Sequence, residues 1–137
     1  MTLEEKREFF KKDRFASYKT GIIIEDAGEN YSRCSFEITP DDCAAHGGVM
    51  GGAVFTLADF AFAVATNSDE KLTVTVSSNI EFMGLPKDKK LIAEAKCLKD
   101  GSRACFFEIN ITDGLGNPVA AVMSNGMHLG PMPGGKK

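Results

Sequence analysis

An aspartate inside an apolar helix is the residue of this chain best placed to do chemistry. Asp59 follows Gly52-Ala53-Val54-Phe55-Thr56-Leu57-Ala58 and precedes Phe60-Ala61-Phe62, a setting where a carboxyl is costly unless it is paired or put to use. There it can act as a nucleophile or as a general base on water, or it is a structural carboxylate bonded to a neighbouring strand or subunit. Gly51-Gly52 opens the same segment. Two residues without side chains leave the first N–H groups of a helix open to a carbonyl oxygen or phosphate, the geometry of an oxyanion hole. Glycine pairs also simply let a helix enter a crowded core. His46, in the preceding Ala44-Ala45-His46-Gly47-Gly48, is either a solvated loop histidine or a further polar group of the site.

Lys87, Lys89 and Lys90, with Lys96 or Arg103, can meet the phosphates of a flexible anionic carrier, although such a cluster also makes an ordinary solvated hairpin. Cys34, Cys43, Cys97 and Cys105 show no C-x-x-C spacing and neither histidine sits near a cysteine pair, so no metal is expected and the thiols read as reduced and mostly buried. No partnered histidine is evident for Cys34 or Cys97 as a nucleophile. Phe60 and Phe62 read as core rather than acyl pocket. No cofactor is called for.

Those residues need a scaffold, and a length of 137 residues allows one domain and not two. A site shared between subunits stays open. With 43% hydrophobic and 26% charged residues the chain is globular. A net charge of -3 gives no footprint for nucleic acid. The longest apolar run, around Ala53 to Ala65, is shorter than the roughly 20 residues a membrane span needs and contains Asp59. Glu4-Glu5-Lys6-Arg7-Glu8 is no apolar signal segment, which places the protein in the cytoplasm.

Thr2 with Glu5 three residues on predicts a capped amphipathic helix to about Lys12, within an N-terminal segment 1–14. Ile22-Ile23-Ile24 and Tyr31 to Ile38, around the turn-prone Asp26 to Asn30, predict a strand pair. Gly52 to Asn67 predicts a helix buried on most faces. Leu72, Val74 and Val76 alternate with Thr73, Thr75 and Ser77 in a strand running to Phe82. Leu91 to Leu98, Cys105 to Thr112 and Val119 to Leu129 predict three more, with Asp100-Gly101 as a two-residue hairpin. From Gly130 on, and for 131–137 in particular, a frayed tail is expected. The order predicts an α+β domain spanning 1–137, an antiparallel sheet wrapped around one long helix.

These residues resemble the PaaI-like branch of the hotdog-fold thioesterases. Gly51-Gly52-Ala53-Val54-Phe55-Thr56-Leu57-Ala58-Asp59 is similar to that family's glycine pair and Leu-Ala-Asp helix, Thr75 to Phe82 looks like its following strand, and Met127-His128-Leu129-Gly130 is similar as well. The resemblance implies an acyl-CoA or related thioester as substrate, with Asp59 attacking the thioester or activating water. It also implies a Gly51 N–H donor to the carbonyl oxygen and a Thr75 hydroxyl that orients water. Met50, Gly52, His46 and Ser77 are expected at the substrate, and Lys87 and Lys90 at the carrier. It further implies a homodimer or dimer of dimers, with the carboxylate from one subunit and the oxyanion donor from the other. The chain departs from the family pattern where its histidine and asparagine stand, at Met50 and Ala44; His46-Gly47-Gly48 repeats the tripeptide four residues early. Those departures keep a non-catalytic acyl-CoA-binding module as the second reading. A dehydratase on the same fold is a weaker third, for want of a catalytic histidine with an acidic partner.

Overall fold

A computed structural model describes residues 1–133. Helix α1 (Leu3–Phe10) opens with the expected capping box: the Glu5 N–H donates to Thr2 Oγ1 at 3.1 Å and the Thr2 N–H to Glu5 Oε1 at 3.0 Å. It stops short of the expected Lys12. A single wide helical turn follows over Phe15–Lys19, held by Thr20 N–H and Oγ1 on the Phe15 carbonyl. The sequence gives no sign of this turn, because Phe15 and Tyr18 face outward, 64% and 76% exposed, and leave no apolar period.

Strands β1 (Ile23–Gly28) and β2 (Tyr31–Glu37) form the first hairpin. The turn is tighter than expected, with Asn30 in the left-handed region at φ 56°. After a short 3-10 turn at Pro40–Asp42 comes α2 (Gly51–Thr66), and then β3 (Thr73–Phe82), β4 (Lys90–Asp100), β5 (Ala104–Asp113) and β6 (Pro118–His128). All pairings are antiparallel, and the six strands lie in the order β1-β2-β4-β5-β6-β3. Strands β1 and β3 are therefore the edges.

The sheet closes around α2, which packs against every strand. Leu91, Ala93 and Ala95 of β4 and Phe107, Ile109 and Ile111 of β5 turn inward at every second residue to meet Leu57, Phe62 and Val64 of the helix. Where Phe62 crosses β6, only glycine fits: a Cβ on Gly126 would lie 3.0 Å from the Phe62 ring and 2.8 Å from the Val74 carbonyl. At its C-terminal end α2 is bolted down by side chains. Lys6 Nζ donates to Val64 O at 2.6 Å, Ser32 Oγ to Ala61 O at 2.6 Å and Asn67 Nδ2 to Ala63 O at 2.9 Å. The Lys6 ammonium also stands at the negative end of the helix dipole.

Three expectations need correction. Asp100 pairs with Cys105 and the Gly101 N–H donates to Ala104 O at 2.8 Å, so the turn falls at Ser102-Arg103, two residues later than expected. The tail does not fray at Gly130: Met132 is buried at 8% exposure and its N–H reaches Asp69 O, while residues 134–137 lie outside the described part. Of the cysteines, all free, Cys34 and Cys105 are buried and Cys43 and Cys97 only half so. Among the described residues no helix is long and apolar enough to cross a membrane.

Candidate active site

Helix α2 is apolar on nearly every side, and Asp59 lies on its one open stripe. Val54, Leu57, Ala58, Phe60 and Ala61 are buried, whereas Gly52 and Asp59 are exposed and Phe55 and Thr56 half-buried. Asp59 is thus not buried in the protomer, contrary to the expectation from its apolar neighbours; helical phase turns it to the opening. Asp59 lines a cavity of about 390 Å³ with Phe55, Thr56 and Phe60 of α2 and with Asp13 and Phe15 of the segment after α1. The protein around the opening still desolvates the carboxyl and raises its pKa above the usual carboxylate value, while a hydrogen bond from Thr75 Oγ1 at 3.4 Å pulls the other way.

Thr75 reaches the helix because of where it sits on β3. Thr73 and Thr75 face inward, and then a β-bulge between Thr75 and Ser77 shifts the pairing with β6. Ser77 falls opposite Asn125 and bonds its side chain; it is separated from Asp59 by the bulge. The valines of this strand are exposed, Val74 at 40% and Val76 at 58%.

At the head of α2, Met50 is the N-cap and makes no side-chain cap hydrogen bond, while its carbonyl accepts the Ala53 N–H at 3.0 Å, so the Gly51 and Gly52 N–H groups have no side-chain cap. The glycines there serve different ends. A Cβ on Gly51 would meet the Phe82 ring at 3.1 Å, whereas one on Gly52 would meet only the tip of Met50 at 4.0 Å. Packing within the protomer accounts for Gly51 and leaves Gly52 unexplained. Met50 itself is 56% exposed. Eight residues along a helix at about 1.5 Å each put the Gly51 N–H roughly 12 Å from the Asp59 backbone, too far for both to act on one carbonyl group.

The other expected residues are engaged elsewhere or stand apart. His46 folds onto its own loop, Nδ1 accepting the Gly48 N–H at 3.1 Å, which leaves the proton on Nε2 in the neutral ring. Lys90 pairs with Glu25 at 2.9 Å. Lys87 is fixed through its backbone, its N–H donating to Asp113 Oδ2 at 2.8 Å, and its side chain is exposed. Asp113 also accepts from the Leu115 and Asn117 N–H groups; burial alone would raise this carboxyl, and the hydrogen bonds hold it down at about 2. The sequence reading missed Asp13, Phe15, Phe55 and Thr56 around Asp59. Thr56 and Phe55 were findable, lying three and four residues before Asp59 on one helix face; Asp13 sits in the charged run Lys11-Lys12-Asp13-Arg14 and carries no such signal.

A single helix clasped by an antiparallel sheet, with a carboxylate on the helix's open stripe, is the hotdog architecture. The sequence model of the thioesterase superfamily matches residues 46–120, more than half of the chain, and the protein belongs to that family. The fold is similar to that of the PaaI protein of the Escherichia coli phenylacetic acid degradation operon, with a TM-score of 0.87 at 23% identity over 95% of both chains. It is also similar to a hypothetical thioesterase of Streptococcus pneumoniae solved with coenzyme A, with a TM-score of 0.76 at 20% identity over 89% of this chain and 98% of that one. A Streptococcus mutans protein bound to acetyl CoA gives 0.75 at 21% identity over 80% and 90%. An Archaeoglobus fulgidus protein provisionally named an esterase is 28% identical over 112 residues, 81% of this chain and 72% of its own.

Proposed function

We propose that this protein is a cytoplasmic acyl-CoA thioesterase, or one acting on a related acyl thioester, that uses Asp59 as its central carboxylate. The observation that carries the reading is Asp59 on the open stripe of α2, facing a cavity and touched by the Thr75 hydroxyl. Membership of the thioesterase superfamily supplies the reaction class, and the coenzyme A and acetyl CoA seen in two proteins of the same fold support the carrier.

In this reading Asp59 either attacks the thioester carbonyl carbon or takes a proton from the water that does. The Thr75 hydroxyl orients that water or the carboxylate. The carbonyl oxygen rests on the N–H groups at the Gly51-Gly52 end of α2. Because that end lies about 12 Å from Asp59 along the same helix, the donor comes from a second copy of the chain. Edge strand β3, with Val74 and Val76 exposed beside Thr75, is the element through which two copies meet, as a homodimer or a dimer of such dimers. Met50, Gly52 and His46 at the head of α2, with Ser77, are then assigned to the substrate, and Lys87, on an exposed loop, with Lys90 to its carrier.

A second reading, a non-catalytic acyl-CoA-binding module, is favoured by one observation: the polar positions next to the helix hold Met50 and Ala44, and His46 is spent on Gly48. Steady-state assays of free thiol across short, long and aromatic acyl-CoA esters, run beside calorimetric binding, separate the two. Turnover supports the enzyme; tight binding without turnover supports the module.

A further inference from the structure

The cavity in front of Asp59 has a second acid on its far wall. Asp13 reaches it from the junction between α1 and the turn at Phe15–Lys19, a different element from α2. Its backbone is pinned: the N–H donates to Phe10 O at 3.0 Å, and the carbonyl accepts from the Ser17 N–H and Oγ at 2.8 and 2.9 Å. The nearby cations are used elsewhere. Lys11 pairs with Glu8, Lys12 lies over Phe9 at 5.2 Å and Arg14 over Tyr18 at 4.8 Å. Among the described residues neither Asp13 nor Asp59 enters an ion pair. The charged groups facing this cavity are therefore Asp13, Arg14 and Asp59.

We infer that Asp13 is the second carboxyl of the site: Asp59 works as the carboxylate, and Asp13 holds the proton that it gives to the sulfur of the departing thiol. The inference rests on the proposed thioesterase function. Two carboxylates at one partly desolvated opening, where the one lining cation, Arg14, lies over Tyr18 and pairs with neither acid, do not readily ionise together. The asymmetry within the pair agrees: burial and then the Asp59 charge raise the Asp13 pKa, whereas Asp59 is raised by burial and eased down by Thr75.

The proton balance closes on either route. With Asp59 as base, water adds to the carbonyl carbon while Asp59 takes its proton. The C–S bond breaks with its electron pair on sulfur, sulfur takes the Asp13 proton, and the proton on Asp59 passes back to Asp13. With Asp59 as nucleophile, an acyl-Asp59 anhydride forms as sulfur leaves with the Asp13 proton, and the Asp13 carboxylate then takes a proton from the water that cleaves the anhydride. Both routes end in a carboxylic acid, a free thiol and the starting charge state.

Carboxyl-carbon NMR titration of the wild type and of Asp59→Asn, with pH profiles of kcat/KM for the wild type and Asp13→Asn, tests this. In Asp59→Asn the Asp13 midpoint falls, because the facing charge is gone. In Asp13→Asn the high-pH fall of the bell-shaped profile disappears and kcat drops tenfold or more. An Asp13 midpoint unmoved by Asp59→Asn, or an unchanged profile in Asp13→Asn, overturns the inference alone. Full turnover by Asp59→Asn overturns the proposed function and this inference with it. The titration arm needs no Asp13 variant, so it decides even if that variant does not fold.

Discussion

Thr75 Oγ1 donates to Asp59 Oδ1 across 3.4 Å, joining edge strand β3 to the open stripe of α2. The bond favours the ionised carboxylate, so its loss moves Asp59 further up. Thr75→Val is expected to shift the low-pH limb of kcat/KM to higher pH and to lower kcat roughly tenfold. A pH profile of the variant checks both.

Gly52 separates packing from function. Its Cβ position is open within the protomer, so Gly52→Ala gains helix propensity and raises stability by up to about 1 kcal/mol. Turnover falls, because the methyl group blocks close approach to the uncapped N–H groups. Urea denaturation beside the thiol assay tests it; a variant that is both more stable and fully active removes this end of α2 from the site.

Lys6 is buried and bonded to Val64 O, and burial lowers its pKa from 10.5. The charged form is thus the disfavoured one in the folded state, and stability contributed at this position grows as pH rises through the lowered value and levels off near 10.5. Lys6→Met removes that dependence. The difference in unfolding free energy between wild type and Lys6→Met, measured from pH 7 upward, therefore shifts in favour of the wild type.

Asp113 acts in the same direction at the acid end of the scale. Its carboxyl, held at about 2 by the Lys87, Leu115 and Asn117 donors, contributes stability above the unfolded carboxylate pKa that is lost as pH falls towards 2. Asp113→Asn lowers the melting temperature at pH 6 and flattens the loss between pH 4 and pH 2. It also loosens the loop that carries Lys87, so KM rises more than kcat falls.

The helix and the strand order along the chain were readable because apolar period and turn residues are local signals. What could not be read depends on contacts across the fold. Residue types show that α2 is apolar but not which stripe the sheet leaves open, so Asp59 was expected buried and is exposed. Alternation carried Ser77 onto the Thr75 face, and a single bulge undoes that. Asp13 comes to the cavity only through a wide turn whose aromatic residues face outward. His46, a natural candidate by type, closes its own loop.

The pairing of two copies has its own check. Sedimentation at micromolar concentration is expected to give a dimer or tetramer, and a charge placed on the exposed edge, Val76→Lys, to give monomers without turnover. An active monomer would contradict a shared site.

Thiol release by Asp59→Asn on the best thioester bears most directly on the central claim. The carboxylate's role predicts a loss of about 10²–10⁴-fold in kcat/KM with binding retained. Unchanged release by a correctly folded Asp59→Asn would contradict it.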